Sequence, residues 1–137
     1  MGLRIVPADE ARALATGDVL VQPCVDFAYE VSFYFVDHDF QYALYAPHPD
    51  RRWQLEPYEP TAEDLEFARR FIDWNTLDHG IQRVDACRAP GGELLLVELE
   101  DLNPYLSLEV LAEGTRDAFV TAVKTSLHRF LEAGRSG

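Results

Sequence analysis

Hydrophobic residues in this chain alternate or run together in some segments, as in strands, and recur every three or four residues in others, as in helices. Segments 28–36 (AYEVSFYFV) and 40–47 (FQYALYAP) are rich in aromatic and branched residues, which favours strands. Residues 37–39 (DHD) are typical of a hairpin turn, so the two segments predict an antiparallel pair. A shorter segment, VLVQP at 19–23, predicts another strand after a turn at Thr16-Gly17-Asp18.

A second hairpin is predicted further along the chain. Segments 81–87 (IQRVDAC) and 93–100 (ELLLVELE) have strand composition and flank the turn Ala89-Pro90-Gly91-Gly92. Between the two hairpins, residues 48–60 (HPDRRWQLEPYEP) contain three prolines and lack any period, which predicts a surface loop.

Three segments carry helical signals. Residues 8–15 (ADEARALA) predict a short helix. Thr61 is a typical N-cap residue, and it predicts a helix to about residue 77, with Trp74 in the core. A last helix, from about 115 to 132, is predicted by apolar residues at i, i+3 and i+4: Phe119, Ala122, Val123, Leu127, Phe130 and Leu131. The sequence therefore predicts an α+β fold, an antiparallel sheet flanked by two main helices, in one domain over residues 1–137.

Composition narrows the classes of partner and compartment. The net charge is −12 and Lys124 is the single lysine, so there is little positive charge to neutralise a nucleic-acid backbone. No apolar run approaches the roughly 20 residues of a membrane span, so we expect no membrane partner. Cys24 and Cys87 are not at metal-site spacing and indicate buried thiols in a reducing compartment. We expect a cytoplasmic protein.

The second hairpin carries the candidate chemistry. If it closes symmetrically between Gly91 and Gly92, Asp85 lies opposite Glu98 and Arg83 lies opposite Glu100, on one face of the sheet. Three carboxylates this close would favour a hard divalent cation such as Mg²⁺, with Arg83 beside it to hold a phosphate oxygen. The alternative is an ordinary cross-strand ion pair of Arg83 and Glu100 on a solvated face, worth at most about 1 kcal/mol.

These residues also resemble a known family. RVD at 83–85, followed by ELLLVELEDLNP at 93–104, resembles the carboxy-terminal lobe of ATP-grasp ligases, the superfamily of D-alanyl-D-alanine ligase, prokaryotic glutathione synthetase and RimK-type ligases. Their motif is R-x-D, a hairpin, then E-x-N or E-x-E and a proline, here Pro104. The likeness is to uncharacterised bacterial ATP-grasp proteins above all, and it covers about residues 18–131.

The resemblance implies roles for individual residues. Asp85, Glu98 and Glu100 would bind two Mg²⁺ ions on the phosphates of ATP, and Arg83 would contact the γ-phosphate or an acyl phosphate. Glu30 would reach the ribose; the residues alone predict for it a backbone or tyrosine contact. The segment at 19–23 would be the hinge strand of the nucleotide site. Its neighbourhood would contact the adenine base through Gln22, Pro23, Cys24 and Val25. Arg52 and Gln54 would contact the substrate or a phosphate.

The resemblance further implies the Mg-ATP-binding portion of a carboxylate–amine or carboxylate–thiol ligase that acts on a small carboxylate through an acyl phosphate. The lysine-bearing small lobe and the substrate domain of such ligases are not recognisable here, so we expect upstream sequence or a partner polypeptide to complete it. A homodimer is a further expected partner, because the sheet face that the absent lobe would cover is exposed. The alternative is a degenerate lobe that serves as a binding or assembly subunit. The missing phosphate-binding lysines and glycine-rich lid favour that alternative. The family's Gly-Gly after the arginine loop is also replaced here, by residues 56–60 (EPYEP).

Overall fold

A computed structural model of the chain describes residues 4–14, 17 and 20–135. Its centre is an antiparallel sheet of five strands in the order β3-β2-β1-β4-β5. Helices accompany this sheet, and the predicted α+β class is confirmed. The strands are β1 Tyr29–Val36, β2 Asp39–Ala46, β3 Glu56–Tyr58, β4 Ile81–Arg88 and β5 Leu94–Glu100.

Among the described residues, three α-helices and one 3₁₀ helix lie outside the sheet. They are α1 Ala8–Leu14, α2 Ala62–Trp74, the 3₁₀ helix Leu108–Val110 and α3 Glu113–Arg135. The start of α2 is fixed as predicted, because the Thr61 hydroxyl accepts from the Asp64 N–H at 3.2 Å while the Asp64 carboxylate accepts from the Thr61 N–H at 3.1 Å.

Both faces of the sheet are covered by other elements. Successive residues of a strand point to opposite faces, so a single strand can contribute to the packing on both. On one face α2 packs against a buried cluster that includes Phe33, Phe35 and Val84. On the other face α3 and the segment before it pack against Tyr34, Tyr42 and other buried residues. Aromatic and branched residues suit both sides of β1, because that central strand is buried on both.

The pairing of β4 with β5 contains an irregularity that positions charged residues. Near the turn Ala86 lies opposite Leu96, whereas Asp85 lies opposite Glu98, so Val97 is an additional residue with no counterpart on β4. Beyond this bulge Arg83 lies opposite Glu100. The predicted partners are confirmed, but the pairs next to the turn are shifted by one residue in register, so that the hairpin closes around Gly91 rather than between Gly91 and Gly92.

Two predictions in the first half of the chain need correction. Over the described part of the segment 19–23, residues 20–23 form no strand and are exposed, and Val19 lies outside the described residues. Thr16 and Asp18 of the predicted turn lie outside them too. The predicted loop 48–60 contains the short strand β3. This strand is at the edge of the sheet and pairs only with β2, so it tolerates Pro57, which has no backbone N–H to donate.

Other corrections concern burial. Trp74 is 75% exposed rather than in the core, because α2 ends there and Asn75 and the left-handed Thr76 turn the chain away. Cys87 is buried as predicted, but Cys24 is exposed. On α3, Phe119 is buried, whereas Leu127, Phe130 and Leu131 of the expected packed face are more than half exposed. No helix in the described ranges is long and apolar enough to cross a membrane.

Candidate functional site

Arg83 and Asp85 of β4 and Glu98 and Glu100 of β5 lie on the sheet face that also carries α3. The Arg83 guanidinium donates to the Asp85 carboxylate from Nε at 2.9 Å and 3.1 Å and from Nη2 at 2.7 Å. Both side chains are less than one-fifth exposed. Burial alone would lower the pKa of Arg83, but its hydrogen bonds to Asp85 and the charge of that carboxylate outweigh burial and raise this pKa above its ordinary value. Arg83 and Asp85 therefore form a firm ion pair.

The two glutamates of β5 have different surroundings. Glu98 is 56% exposed, and its Oε2 lies 4.0 Å from Arg83 Nη2. Glu100 turns toward the following loop, where its Oε1 accepts from the N–H groups of Leu102 at 3.0 Å and Asn103 at 3.1 Å. These two hydrogen bonds hold the pKa of Glu100 below its ordinary value, and the bond from Asn103 has the larger effect. The expected Arg83–Glu100 ion pair is not formed: Arg83 pairs with its own strand neighbour instead.

The register thus brings Asp85 and Glu98 together, while Glu100 is engaged elsewhere. Throughout the described ranges, no group of three or more His, Cys, Asp or Glu side chains is placed to hold a metal ion. The oxygens of Asp85 and Glu98 are ligands of the kind that Mg²⁺ prefers, and a nucleotide-bound Mg²⁺ usually takes one or two carboxylates from a protein. The donor set fits an ion that brings phosphate and water ligands with it.

A second ion pair joins two more of the predicted residues. Arg52, from the loop between β2 and β3, donates from Nε to Glu30 Oε2 at 2.7 Å and from Nη2 to Glu30 Oε1. This fork geometry is the strong form of an arginine–carboxylate contact. Glu30 thus contacts an arginine, rather than the backbone or tyrosine that we predicted from its apolar surroundings.

A small cavity lies between these two ion pairs. Its volume is about 190 Å³, and Glu30, Arg52 and Arg83 line it together with Ser32, Tyr34, Leu44, Ala46, Leu55, Tyr105 and Ser107. That volume is below the roughly 300–1,000 Å³ of typical ligand pockets. The cavity suits one phosphate or one small carboxylate, rather than a whole nucleotide.

The segment after β5 closes this cavity with Tyr105 and Ser107, a contact that was not predicted from the sequence. The Tyr105 carbonyl accepts from Tyr34 Oη at 3.1 Å and from Arg83 Nη1 at 3.3 Å. The Leu106 carbonyl accepts from Tyr42 Oη at 2.7 Å. The rings of Tyr34 and Tyr42 are stacked at 4.3 Å, and burial raises the pKa of both hydroxyls, which stay protonated donors. The available signal was that the first hairpin pairs Tyr34 directly with Tyr42, on the face that Arg83 shares.

The remaining predicted residues do not line the cavity. Gln22, Pro23, Cys24 and Val25 lie in an exposed segment without secondary structure. Gln54 is exposed, and its N–H donates to the Arg51 carbonyl at 2.9 Å. Their predicted roles at the adenine base and the substrate stay predictions.

A larger groove lies elsewhere. Its volume is about 460 Å³, and it runs between the β1–β2 turn and α3, lined by Asp37, Asp39, Asp117, Arg129 and neighbouring residues. None of the predicted site residues lines this groove. Cavity size and candidate chemistry therefore point to different places. We follow the chemistry, because two arginines, Arg52 and Arg83, and the carboxylate partner of Arg52, Glu30, line the smaller cavity.

Comparisons with known proteins identify the type of fold. No protein-family model and no curated protein matches the chain. The macrocyclase MdnC from Microcystis aeruginosa MRC, in a crystal structure with precursor peptide MdnA, aligns with a TM-score of 0.53 and 13% identity over 67% of this chain and 29% of its own. The macrocyclase MdnB from the same source aligns with a TM-score of 0.52 and 13% identity over 90% of this chain and 45% of its own. The fold is ATP-grasp-like.

The alignments cover only part of each known protein. At 13% identity the likeness establishes the fold alone. A third structure, the D-cycloserine synthetase DcsG, is 18% identical over 69% of this chain and 37% of its own, at a TM-score of 0.47. The chain spans less than half the length of each of these proteins.

Proposed function

We propose that this chain is the Mg-ATP-binding portion of a carboxylate–amine or carboxylate–thiol ligase that acts through an acyl phosphate. The observation that supports it is the placement of Asp85 opposite Glu98, with Arg83 beside them, in an ATP-grasp-like fold. The small lobe and the substrate domain of a complete ligase would come from sequence outside these 137 residues, in the same polypeptide or in a partner.

In this proposal Asp85 and Glu98 hold Mg²⁺ on the nucleotide phosphates, and Glu100 supports the loop that follows. The bound ion would neutralise phosphate charge during transfer. Arg83 would hold a phosphate oxygen, because a guanidinium fork matches phosphate as well as it matches the carboxylate of Asp85.

The cavity next to Arg83 suits the second substrate. Arg52 and Arg83 at its walls favour an anion, and Leu44, Ala46 and Leu55 favour a short apolar group attached to it. A small carboxylate would attack the γ-phosphorus there, ADP would leave, and an amine or thiol would then displace phosphate from the acyl phosphate. The residues at 22–25 would contact adenine, Glu30 would reach the ribose once its contact with Arg52 opens, and Gln54 would face substrate or phosphate.

Isothermal titration with Mg-ATP tests this proposal. We expect saturable binding to the wild-type chain and loss of that binding in Glu98→Ala. Glu66→Ala is a matched control, because Glu66 is an exposed glutamate on α2, on the opposite face of the sheet. Equal heats from all three proteins would contradict the proposal.

A second candidate, an assembly subunit without catalysis, is favoured by one observation. Leu127, Phe130 and Leu131 of α3 are each more than half exposed, and so is Val97 of the edge strand β5. Apolar surface of this kind is typical of protein contacts. Light scattering after size exclusion separates the candidates: a stable dimer that ignores Mg-ATP supports assembly, whereas a species that binds Mg-ATP supports the ligase.

A further inference from the structure

The carboxylate best placed to hold a metal is already occupied by a cation. Asp85 accepts three hydrogen bonds from Arg83 at 2.7 to 3.1 Å, and the pair is less than one-fifth exposed. The same Arg83 Nη2 lies 4.0 Å from Glu98 Oε2, so one guanidinium stands between the two carboxylates that face each other across the strands.

The surrounding residues offer a metal ion few further ligands. Glu100 is bound to the N–H groups of Leu102 and Asn103, and Glu30 is bound to Arg52. In the described part of the chain no three metal-ligating side chains are grouped. A Mg²⁺ ion arriving alone would meet one exposed carboxylate and a positive charge.

We propose that Arg83 keeps Mg²⁺ off the Asp85–Glu98 pair until a phosphate group takes over its guanidinium, so that the metal binds together with the nucleotide and not before it. This inference rests on the proposed function and concerns the order of binding at the same site.

Charge and hydrogen-bond geometry support that order. With Arg83 in place the three side chains carry a net charge of −1, and when the guanidinium turns to a phosphate the two carboxylates present −2 to a cation. A phosphate offers Arg83 the same forked contact that it makes with Asp85, so the exchange leaves no buried donor unpaired. Binding linkage is reciprocal: if the nucleotide raises the affinity for Mg²⁺ by some factor, Mg²⁺ raises the affinity for the nucleotide by the same factor.

Titration of the chain with magnesium chloride, without nucleotide, tests the inference by calorimetry and by the shift in the midpoint of thermal unfolding. We expect no saturable binding to the wild type. Arg83→Met should bind Mg²⁺ more tightly by about tenfold or more, because it removes a unit charge from beside two carboxylates. Arg52→Met is the matched control: it removes an equal charge from the same cavity but leaves the Asp85–Glu98 pair with Arg83, and it should gain no comparable affinity.

Each result of this titration decides the question. Mg²⁺ binding to the wild type as tight as to Arg83→Met, no gain in Arg83→Met, or an equal gain in Arg52→Met would overturn the inference. If circular dichroism shows that Arg83→Met does not fold, Arg83→Lys takes its place, with a smaller gain expected because an ammonium cannot make the forked contact. Failure of the proposed function is distinguishable, since it appears as loss of wild-type Mg-ATP binding and leaves the gain in the Arg83 variants unaffected.

Discussion

Asp85 and Glu98 face each other across β4 and β5 because of one additional residue, Val97. Continued from the turn without this bulge, the pairing would set Glu98 opposite Val84, which is fully buried. A one-residue change of register moves a side chain to the other face of the sheet. The bulge therefore keeps a carboxylate out of the core and places it beside Arg83, as is common for bulges near functional sites.

The two glutamates of β5 should respond differently to substitution. Glu100→Ala removes the acceptor of the Leu102 and Asn103 N–H groups, so these two amides should exchange hydrogen several-fold faster. Glu98→Ala should leave their exchange unchanged. Amide exchange followed by NMR measures both variants. Equal protection of the two amides in Glu100→Ala and in the wild type would show that the loop does not depend on this carboxylate.

The tyrosine pair should anchor the segment that closes the cavity. Tyr42→Phe keeps the stacked ring but removes the donor to the Leu106 carbonyl, and the free energy of unfolding should fall by about 1 kcal/mol. Tyr34→Phe should cost a similar amount and should also loosen Arg83, which shares the Tyr105 carbonyl with Tyr34. Urea unfolding measures these changes. Wild-type stability in both variants would mean that the hydroxyls do not hold the segment.

A buried ion pair on the α2 face should matter more for stability than surface pairs do. Arg88 donates to Asp64 Oδ1 at 2.7 Å, to Tyr58 Oη at 2.9 Å and to the Gly92 carbonyl at 2.7 Å, and the Asp64 side chain is only 3% exposed. Arg88→Met leaves that carboxylate buried and unpaired, at a cost of about 3 kcal/mol or more.

The exposed Arg4–Glu10 pair provides the control for that change. Arg4→Met should alter the free energy of unfolding by less than about 0.5 kcal/mol, because exposed ion pairs contribute little. Chemical denaturation compares the two variants. A cost for Arg88→Met no larger than that for Arg4→Met would contradict the role assigned to the Arg88 network.

The same network predicts how stability depends on pH. Burial alone would raise the pKa of Asp64, but hydrogen bonds from Arg88, Tyr58 and the Thr61 N–H outweigh it and hold this pKa below its ordinary value. A carboxyl with a lowered folded-state pKa adds stability above the unfolded pKa of about 3.9 and loses it as pH falls through the folded value. The stability difference between wild type and Asp64→Asn should therefore shrink as pH falls below about 4. A constant difference down to pH 2 would contradict this.

Local sequence signals predicted most of the sheet. The aromatic strands of the first hairpin, the Thr61 cap and the pairing of Arg83 and Asp85 with the glutamates all follow from neighbouring residues and strand alternation. The closure of the second hairpin did not follow, because the bulge at Val97 compensates for an asymmetric turn, and no local pattern marks where a strand gains an additional residue.

Long-range contacts were beyond the sequence signals. Arg52 and Glu30 are 22 positions apart, and Tyr34 and Tyr105 are 71 apart, so nothing local in the chain indicates that they meet. The contacts of Glu100 to Leu102 and Asn103 depend on how the chain turns after β5, which no local pattern indicates. Its role as a metal ligand, implied by the family resemblance, stays a prediction. Trp74 was assigned to the core from its type, but its exposure depends on where α2 ends.

The location of a bound metal–nucleotide complex tests the central proposal most directly. Mn²⁺ with ATP can replace Mg-ATP in an NMR titration, because the paramagnetic ion broadens amide signals near it. We predict that broadening centres on the amides around Asp85 and Glu98 and leaves those around Asp37 and Asp117 sharp. Uniformly sharp spectra, or broadening centred on the groove beside α3, would contradict the account.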